Sequence, residues 1–225
     1  MEYSGKRVLI TGGAGQAGRA IAEAYARLVA VVILADKDYG VERFVTERLR
    51  PLSPGSRFIH CDLALTSACE NLTEGIFERE GDIEVLVHCA GAPAPVPLTE
   101  AVGERWDYAV NSDLRAPLLI VRDWLRNRRK RGRLNEYGRF AAVLPGSDAA
   151  GAEAAAVRGG LEALVRSFEE SFPAAMAAGA LLPAGCAAPK ELARACLLLT
   201  DEANTFLGGQ CLTVAWRDLC DILSD

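Results

Sequence analysis

The chain has 225 residues, of which 50% are hydrophobic and 24% charged, and this composition excludes a disordered tail or a low-complexity polymer. With 25 basic against 30 acidic residues the net charge is −5, which argues against nucleic acid as a partner, because phosphate binding needs a basic surface. The length predicts a single domain spanning residues 1–225.

Short apolar runs typical of strands alternate along the chain with segments of helical spacing. The predicted strands are Lys6–Thr11, Val31–Ala35, Arg57–Cys61, Ile83–Cys89, Arg139–Leu144 and Gln210–Trp216. The predicted helices are Gln16–Leu28, Tyr39–Leu49 and the segments around 66–79, 100–129, 152–171 and 190–200. This alternation is typical of βαβ units and predicts an α/β, Rossmann-type doubly wound fold, in which helices cover a parallel sheet on both faces.

Three features of the chain bear on its compartment and partners. Seven scattered cysteines with no Cys-x-x-Cys pair favour reduced, buried thiols over a disulfide framework. The first residues are not apolar enough for a signal peptide, and no stretch has the ~20 strongly apolar residues of a membrane span. The basic run from Arg126 to Arg133 is predicted to be a solvated helix end. We therefore expect a cytoplasmic protein with no membrane or nucleic-acid partner.

A glycine-rich turn connects the first predicted strand to its helix and reads Thr-Gly-Gly-Ala-Gly-Gln-Ala-Gly from Thr11 to Gly18. Glycines at such a turn let the backbone approach a pyrophosphate, which the helix N-terminus then faces. Asp36 ends the second strand 18 residues after Gly18, where a carboxylate accepts hydrogen bonds from an adenosine ribose. The pattern predicts a dinucleotide site. The alternative is a glycine turn that only fixes the packing of helix against strand.

Several motifs resemble those of the short-chain dehydrogenase/reductase family over nearly the whole chain. Thr11, Gly12 and Gly18 match the family's opening Thr-Gly-x-x-x-Gly-x-Gly, but its middle glycine falls on Gln16, and Gly15 gives the spacing of the family's extended branch. Three later segments also resemble family motifs: Cys61-Asp62-Leu63, Leu86–Gly91 and Thr200–Val214. The second resembles the family's Asn-Asn-Ala-Gly, with both asparagines replaced. The resemblance implies NAD as cofactor, bound by Gly12, Gly15, Gly18, Asp36, Asp62, Ala90 and Gly91.

The family's catalytic Asn, Ser, Tyr and Lys do not recur at the matching positions. The spacing places Asp113, Pro145, Ala154 and Arg158 there, and Asn111 or Ser147 would fit only after a shift of two residues. No tyrosine follows Tyr137, and no lysine stands four residues after any tyrosine, so the family's Tyr-x-x-x-Lys pair is lacking. Alanine cannot transfer a proton, and the broad fork of arginine replaces a lysine ammonium poorly.

The segment between Phe168 and Pro189 also departs from the family. Its alanines, glycines and prolines are predicted to form neither the sixth strand nor the nicotinamide and substrate loop, so the last third of the fold is expected to be shortened. The predicted site thus keeps its adenine half. Whether NAD binds stays open, because Gln16 stands in the turn and the nicotinamide loop is missing.

These departures predict a degenerate family member with no catalytic residues and no metal site. We expect an inactive structural or regulatory subunit, forming an oligomer with itself or with an active homologue. In the family two helices pair across a two-fold axis, and the corresponding Leu114–Leu125 and Leu161–Phe172 keep apolar residues at helical spacing. The alternatives are an NAD-dependent oxidoreductase with a relocated proton donor, Tyr108 or His88, and a dinucleotide-binding sensor. For His88 a packed strand histidine is preferred.

Overall fold

The computed structural model describes residues 2–91, 96–147, 149, 151–172, 176–184, 188–204 and 207–215. Within these residues seven strands form one sheet: β1 (Arg7–Thr11), β2 (Val31–Asp36), β3 (Arg57–His60), β4 (Val85–Cys89), β5 (Gly138–Val143), β6 (Met176–Ala184) and β7 (Cys211–Ala215). All neighbours are parallel, in the order 3-2-1-4-5-6-7. The chain order therefore reverses at β1, which pairs with both β2 and β4.

Helices cover both faces of this sheet. They are α1 (Gln16–Arg27), α2 (Gly40–Phe44), α3 (Thr66–Glu80), α4 (Gly103–Val110), α5 (Ala116–Lys130), α6 (Ala152–Ser171) and α7 (Pro189–Thr200). Helix α1 packs against α7, and α3 packs against α5. A π-helical turn at Val45–Leu49 extends α2, and a second one at Asn111–Arg115 joins α4 to α5, where the sequence predicted one continuous helix. The doubly wound α/β prediction is confirmed.

The core consists of two clusters, one on each side of the sheet. In β1 the fully buried Leu9 belongs to one cluster, and its neighbours Val8 and Ile10 belong to the other. Successive strand side chains point to opposite faces, so a strand covered on both sides needs an unbroken apolar run. This requirement explains why Val-Leu-Ile identified β1 from sequence. Among the described residues, no helix combines the length and apolar character that crossing a bilayer requires.

Strand β6 contradicts the prediction that the sixth strand is missing. It pairs with β5 on one side and with β7 on the other. Its alanine-rich sequence lacks the β-branched residues that usually identify a strand. Packing accounts for one of its small residues, because a Cβ atom on Gly179 would overlap the Leu199 side chain. The predicted shortening holds only for the connection to α7, which spans residues 185–188; residues 185–187 lie outside the described part, as does Trp216.

One residue of the basic run differs from its prediction, whereas Arg126, Arg129, Lys130 and Arg131 are exposed as predicted. Arg128 is fully buried and donates hydrogen bonds to the carbonyl oxygens of Ile83, Arg133, Glu136 and Tyr137. It also lies 3.4 Å from the buried carboxylate of Asp82. Arg128 therefore ties α5 to the loops that lead into β4 and β5, and it is not part of a solvated helix end.

Candidate functional site

A cleft of about 390 Å³ opens at the carboxyl ends of the strands, beside the glycine turn after β1. Strand order reverses at β1, and in open α/β sheets this switch point is the usual ligand site. Six of the seven predicted site residues line the cleft: Gly12, Gly15, Gly18, Asp36, Ala90 and Gly91. Asp62 does not line it, although its neighbours Cys61 and Leu63 do.

The glycines at positions 12, 15 and 18 of the turn have different structural roles. Gly12 has a φ of +70°, and a Cβ there would overlap the carbonyl oxygen of Cys89. A Cβ on Gly18 would lie 2.7 Å from the Cα of Gly13, so Gly18 lets α1 approach the turn. Gly15 has an ordinary φ of −67°, and a Cβ there would meet no atom within 4 Å. Packing explains Gly12 and Gly18, whereas Gly15 leaves open space in front of the N-terminus of α1.

Asp36 is held in one orientation at the cleft. Its Oδ2 accepts the Ala14 N–H at 2.9 Å, and its Oδ1 accepts the Asp38 N–H at 3.0 Å. A carboxylate oxygen has two lone pairs, so each oxygen can accept one further hydrogen bond from a ligand. Asp62 instead shapes the β3–α3 connection, because its Oδ1 accepts the Ala64 N–H at 3.0 Å.

Lys37 and Tyr108 meet at the Asp36 end of the cleft, a contact that sequence reasoning missed. The Lys37 ammonium lies 4.2 Å from the centre of the Tyr108 ring. Contact with Tyr108 raises the pKa of Lys37, and the charges of Asp62 and Asp36 add to this effect. Tyr108 is the one tyrosine of the chain that lines the cleft. The only available signal was the place of Lys37 directly after Asp36.

The π-helical turn between α4 and α5 brings Ser112 and Asp113 to the cleft wall. Burial raises the pKa of Asp113 to about 6, although hydrogen bonds from the Gly91 N–H and the Ser112 hydroxyl oppose this shift. Asn111 does not line the cleft. Asp113 is therefore a carboxylic acid at the cleft wall with a pKa close to neutrality.

His88 lies behind the cleft wall and is almost fully buried. Its Nδ1 is 2.9 Å from the Thr11 hydroxyl, and its Nε2 is 4.0 Å from Asp113 Oδ1. Burial lowers the pKa of His88 to about 4, so the imidazole is neutral at neutral pH. These features are those of a packed strand histidine. Within the described part of the chain, no group of three or more His, Cys, Asp or Glu side chains could hold a metal ion.

The residues predicted at the positions of the family's catalytic Tyr and Lys lie in the first half of α6. Ala154 is 1% exposed and presents only a methyl group. The Arg158 guanidinium donates hydrogen bonds to the carbonyl oxygens of Pro145, Gly146 and Ala149, at 3.3, 2.6 and 3.2 Å. Arg158 therefore anchors the β5–α6 loop. Neither Ala154 nor Arg158 lines the cleft.

Comparison with known proteins places this geometry in a family. The family model described as short chain dehydrogenase matches residues 6–136, which is more than half of the chain. The chain belongs to the short-chain dehydrogenase family. The match covers the glycine turn, Asp36 and Asp113, and it ends before α6.

Curated dehydrogenases also match part of the chain. A D-xylose 1-dehydrogenase from Caulobacter vibrioides is 32% identical over 130 residues, which are 57% of this chain and 50% of that protein. An L-fucose dehydrogenase from Oryctolagus cuniculus is 33% identical over 103 residues, 45% of this chain and 35% of that protein. The chain thus spans about half the length of the curated relatives it matches, or less.

Solved structures extend the likeness of the fold to almost the whole chain. A crystal structure of the NADH-dependent reductase A1-R′ complexed with NAD superposes with a TM-score of 0.84 at 23% identity, covering 95% of this chain and 96% of that one. An actinorhodin polyketide ketoreductase with NADPH gives a TM-score of 0.83 at 18% identity, covering 94% and 96%. The short-chain dehydrogenase fold therefore includes α6, β6 and α7.

Proposed function

We propose that this member of the short-chain dehydrogenase family is catalytically inactive and acts as a structural or regulatory subunit. One feature supports the proposal: the residues that sequence spacing aligns with the family's Tyr and Lys are Ala154, a buried methyl group, and Arg158, which donates hydrogen bonds to three backbone carbonyl groups. Loss of a positioned acid–base group typically lowers a rate by about 10²–10⁴. Two such losses leave the cleft without the family's route for the proton.

We further propose that the cleft keeps the adenine half of an NAD site. The open space at Gly15 admits a pyrophosphate to the N-terminus of α1, and Asp36 offers a fixed carboxylate to ribose hydroxyls. The crystal structure of the neighbour A1-R′ is a complex with NAD, which supports the same cofactor here. When bound, a nicotinamide ring supplies or accepts a hydride. The residues of this chain bind and orient the adenosine end.

An apolar groove between α5 and α6 supports the proposed oligomer. It has a volume of about 270 Å³, and its walls include Leu118, which is 50% exposed, together with Leu125, Leu164 and Phe172. Exposed apolar patches of this kind mark interaction surfaces. The groove lies on the two helices that pair across a two-fold axis in the family the sequence resembles. A second copy, or an active homologue, is the proposed occupant.

The activity test combines turnover with binding. The purified protein is assayed with NADH and NADPH against aldehydes, ketones and sugars, while calorimetry measures NADH binding to the same sample. We expect NADH to bind and no turnover above that of a heat-treated sample. Steady turnover that disappears on substitution of Asp113 by Asn would refute the inactive assignment.

The oligomer has its own matched test. Leu118→Glu places a charge in the groove, and Leu198→Glu places the same charge on α7, where Leu198 is 43% exposed. We expect light scattering to show dissociation for Leu118→Glu and an unchanged mass for Leu198→Glu. A wild-type protein that is monomeric in the absence and presence of an active homologue would contradict the proposal.

A second candidate function is an active oxidoreductase with a relocated proton donor, and Asp113 is the observation that favours it. The carboxyl group lines the cleft with a pKa of about 6, so it exchanges protons near neutral pH. Tyr108 contacts Lys37 at the adenine end, and His88 lies behind the wall, so neither fits the role as well. The sensor alternative requires partner affinity to change with NADH, and equal affinity with and without NADH would reject it.

A further inference from the structure

Cys61 and Cys69 face each other across the connection between β3 and α3. The Cys61 thiol lies 3.5 Å from the carbonyl oxygen of Ala68, and the Cys69 thiol lies 3.4 Å from that of Leu63. Each sulfur thus contacts a backbone carbonyl group within two residues of the other cysteine. The two thiols also interact directly, and both side chains are buried, at 3% and 1% exposure. The fold therefore holds this pair of thiols together.

The surroundings give the two thiols different chemical character. Cys69 lies in the first turn of α3, close to Arg115, whose guanidinium donates a hydrogen bond to the Ala64 carbonyl at 2.8 Å. Interaction with Cys61 and the charge of Arg115 lower the pKa of Cys69, whereas the same pairing and burial raise that of Cys61. The thiolate is the reactive form of cysteine. Cys69 is therefore suited to attack an oxidant, and Cys61 to react second.

We propose that Cys61 and Cys69 are a site of reversible disulfide formation, for which the oxidant is hydrogen peroxide. The Cys69 thiolate attacks a peroxide oxygen, the O–O bond breaks, and a sulfenic acid forms while the other oxygen leaves as water after taking a proton. The Cys61 thiol then attacks that sulfur, the S–S bond forms, and a second water leaves. The two thiols lose two electrons, which reduce one peroxide to two water molecules.

The disulfide site is connected to the dinucleotide cleft. Cys61 and Leu63 line the cleft, and the disulfide would close the loop that carries them together with Asp62. Hydrogen peroxide is little larger than water, and its proposed route to the buried Cys69 passes Cys61 at the cleft wall. A dinucleotide bound in the cleft covers Cys61 and is expected to slow the oxidation. This last step rests on the proposed NAD site, whereas the disulfide itself does not.

The experiment uses the full-length protein and one tryptic peptide. The protein is treated with a small excess of hydrogen peroxide, quenched in acid, alkylated under denaturing conditions and digested without reduction. Cleavage after Arg57 and Arg79 releases residues 58–79, which contain both cysteines. We expect this peptide to become about 2 Da lighter, through loss of two hydrogen atoms, and to carry no alkyl group. Dithiothreitol should restore both thiols.

Two controls make the result specific. Cys69→Ser should abolish the mass loss, and the exposed Cys211 reports in the same digest how fast a solvent-accessible thiol reacts. The proposal is overturned if residues 58–79 keep two alkylated thiols while Cys211 oxidises, or if the pair goes to sulfinic acid without a disulfide. Saturating NADH should slow disulfide formation several-fold. An equal rate with NADH bound overturns the route through the cleft, whereas failure of NADH to bind in calorimetry rejects the NAD site and leaves the disulfide result intact.

Discussion

Gly15→Ala separates binding from folding at the glycine turn. The backbone at Gly15 has a φ of −67°, and the added methyl group would meet no protein atom within 4 Å, so the fold should accept alanine. Replacing glycine by alanine at such a position typically raises the free energy of unfolding by about 0.4–1 kcal/mol. The same methyl group lies in front of the N-terminus of α1, in the space proposed for the pyrophosphate. We expect NADH affinity to fall at least about tenfold, which corresponds to ~1.4 kcal/mol.

The matched variant is Gly18→Ala, in which the new methyl carbon would lie 2.7 Å from the Cα of Gly13. Overpacking against backbone is expected to lower the free energy of unfolding by about 1–3 kcal/mol. Urea denaturation measures stability, and calorimetry measures NADH affinity for both variants. If Gly15→Ala binds NADH as tightly as the wild type, then the pyrophosphate does not lie at the N-terminus of α1, and the proposed placement is wrong.

Two further predictions concern stability. Arg158→Met should lower the free energy of unfolding by about 1–3 kcal/mol, because it leaves three carbonyl groups without their donor. Arg166→Met, on the exposed face of the same helix, should have little effect. Urea denaturation measures both variants. The pH dependence should differ between Asp113→Asn and His88→Asn. Asp113 has a raised pKa of about 6, so its contribution to the free energy of unfolding is present at low pH and lost as the pH rises toward 6. The pKa of His88 is lowered to about 4, so its contribution is present above pH 6.5 and lost as the pH falls toward 4. Relative to the wild type, Asp113→Asn should therefore be less stable at pH 4 than at pH 7, and His88→Asn less stable at pH 7 than at pH 4, by up to about 3 kcal/mol each. Urea titrations that show the same pH dependence for both variants would refute the opposed shifts.

The sequence predicted those parts of the fold whose signal is local. The predicted and observed bounds of α6 coincide at 152–171, because its apolar residues recur at helical spacing. Strand β6 was missed because it lacks β-branched residues, and because the close approach of Leu199 that accounts for Gly179 comes from a distant part of the chain. Arg128 was misjudged for a related reason. Its burial depends on carbonyl groups that the fold brings together at the ends of two strands.

The candidate site was predicted unevenly for similar physical reasons. Gly12 directly follows β1 and Asp36 is the last residue of β2, so strand assignment alone places them at one edge of the sheet. The contact between Lys37 and Tyr108 joins β2 to α4, elements that are distant in the chain. The raised pKa of Asp113 arises from burial in a π-helical turn, which the sequence read as continuous helix. Local motifs therefore locate the cleft, and tertiary packing decides its chemistry.

Ala154 and Arg158, the residues predicted at the positions of the family's catalytic pair, are both fixed by packing and hydrogen bonds, and this leads to a last prediction. The double variant Ala154→Tyr, Arg158→Lys restores the residue types of the family's pair in this chain. Ala154 is 1% exposed, so a phenol ring overpacks its site, at a typical cost of about 1–3 kcal/mol. A lysine ammonium cannot reproduce the fork by which Arg158 reaches the carbonyl groups of Pro145, Gly146 and Ala149. We expect a less stable protein with no NAD(P)H turnover, measured by thermal denaturation and by absorbance at saturating NADH. Turnover in this variant would show instead that the surrounding site is intact and that the two substitutions alone account for the inactivity.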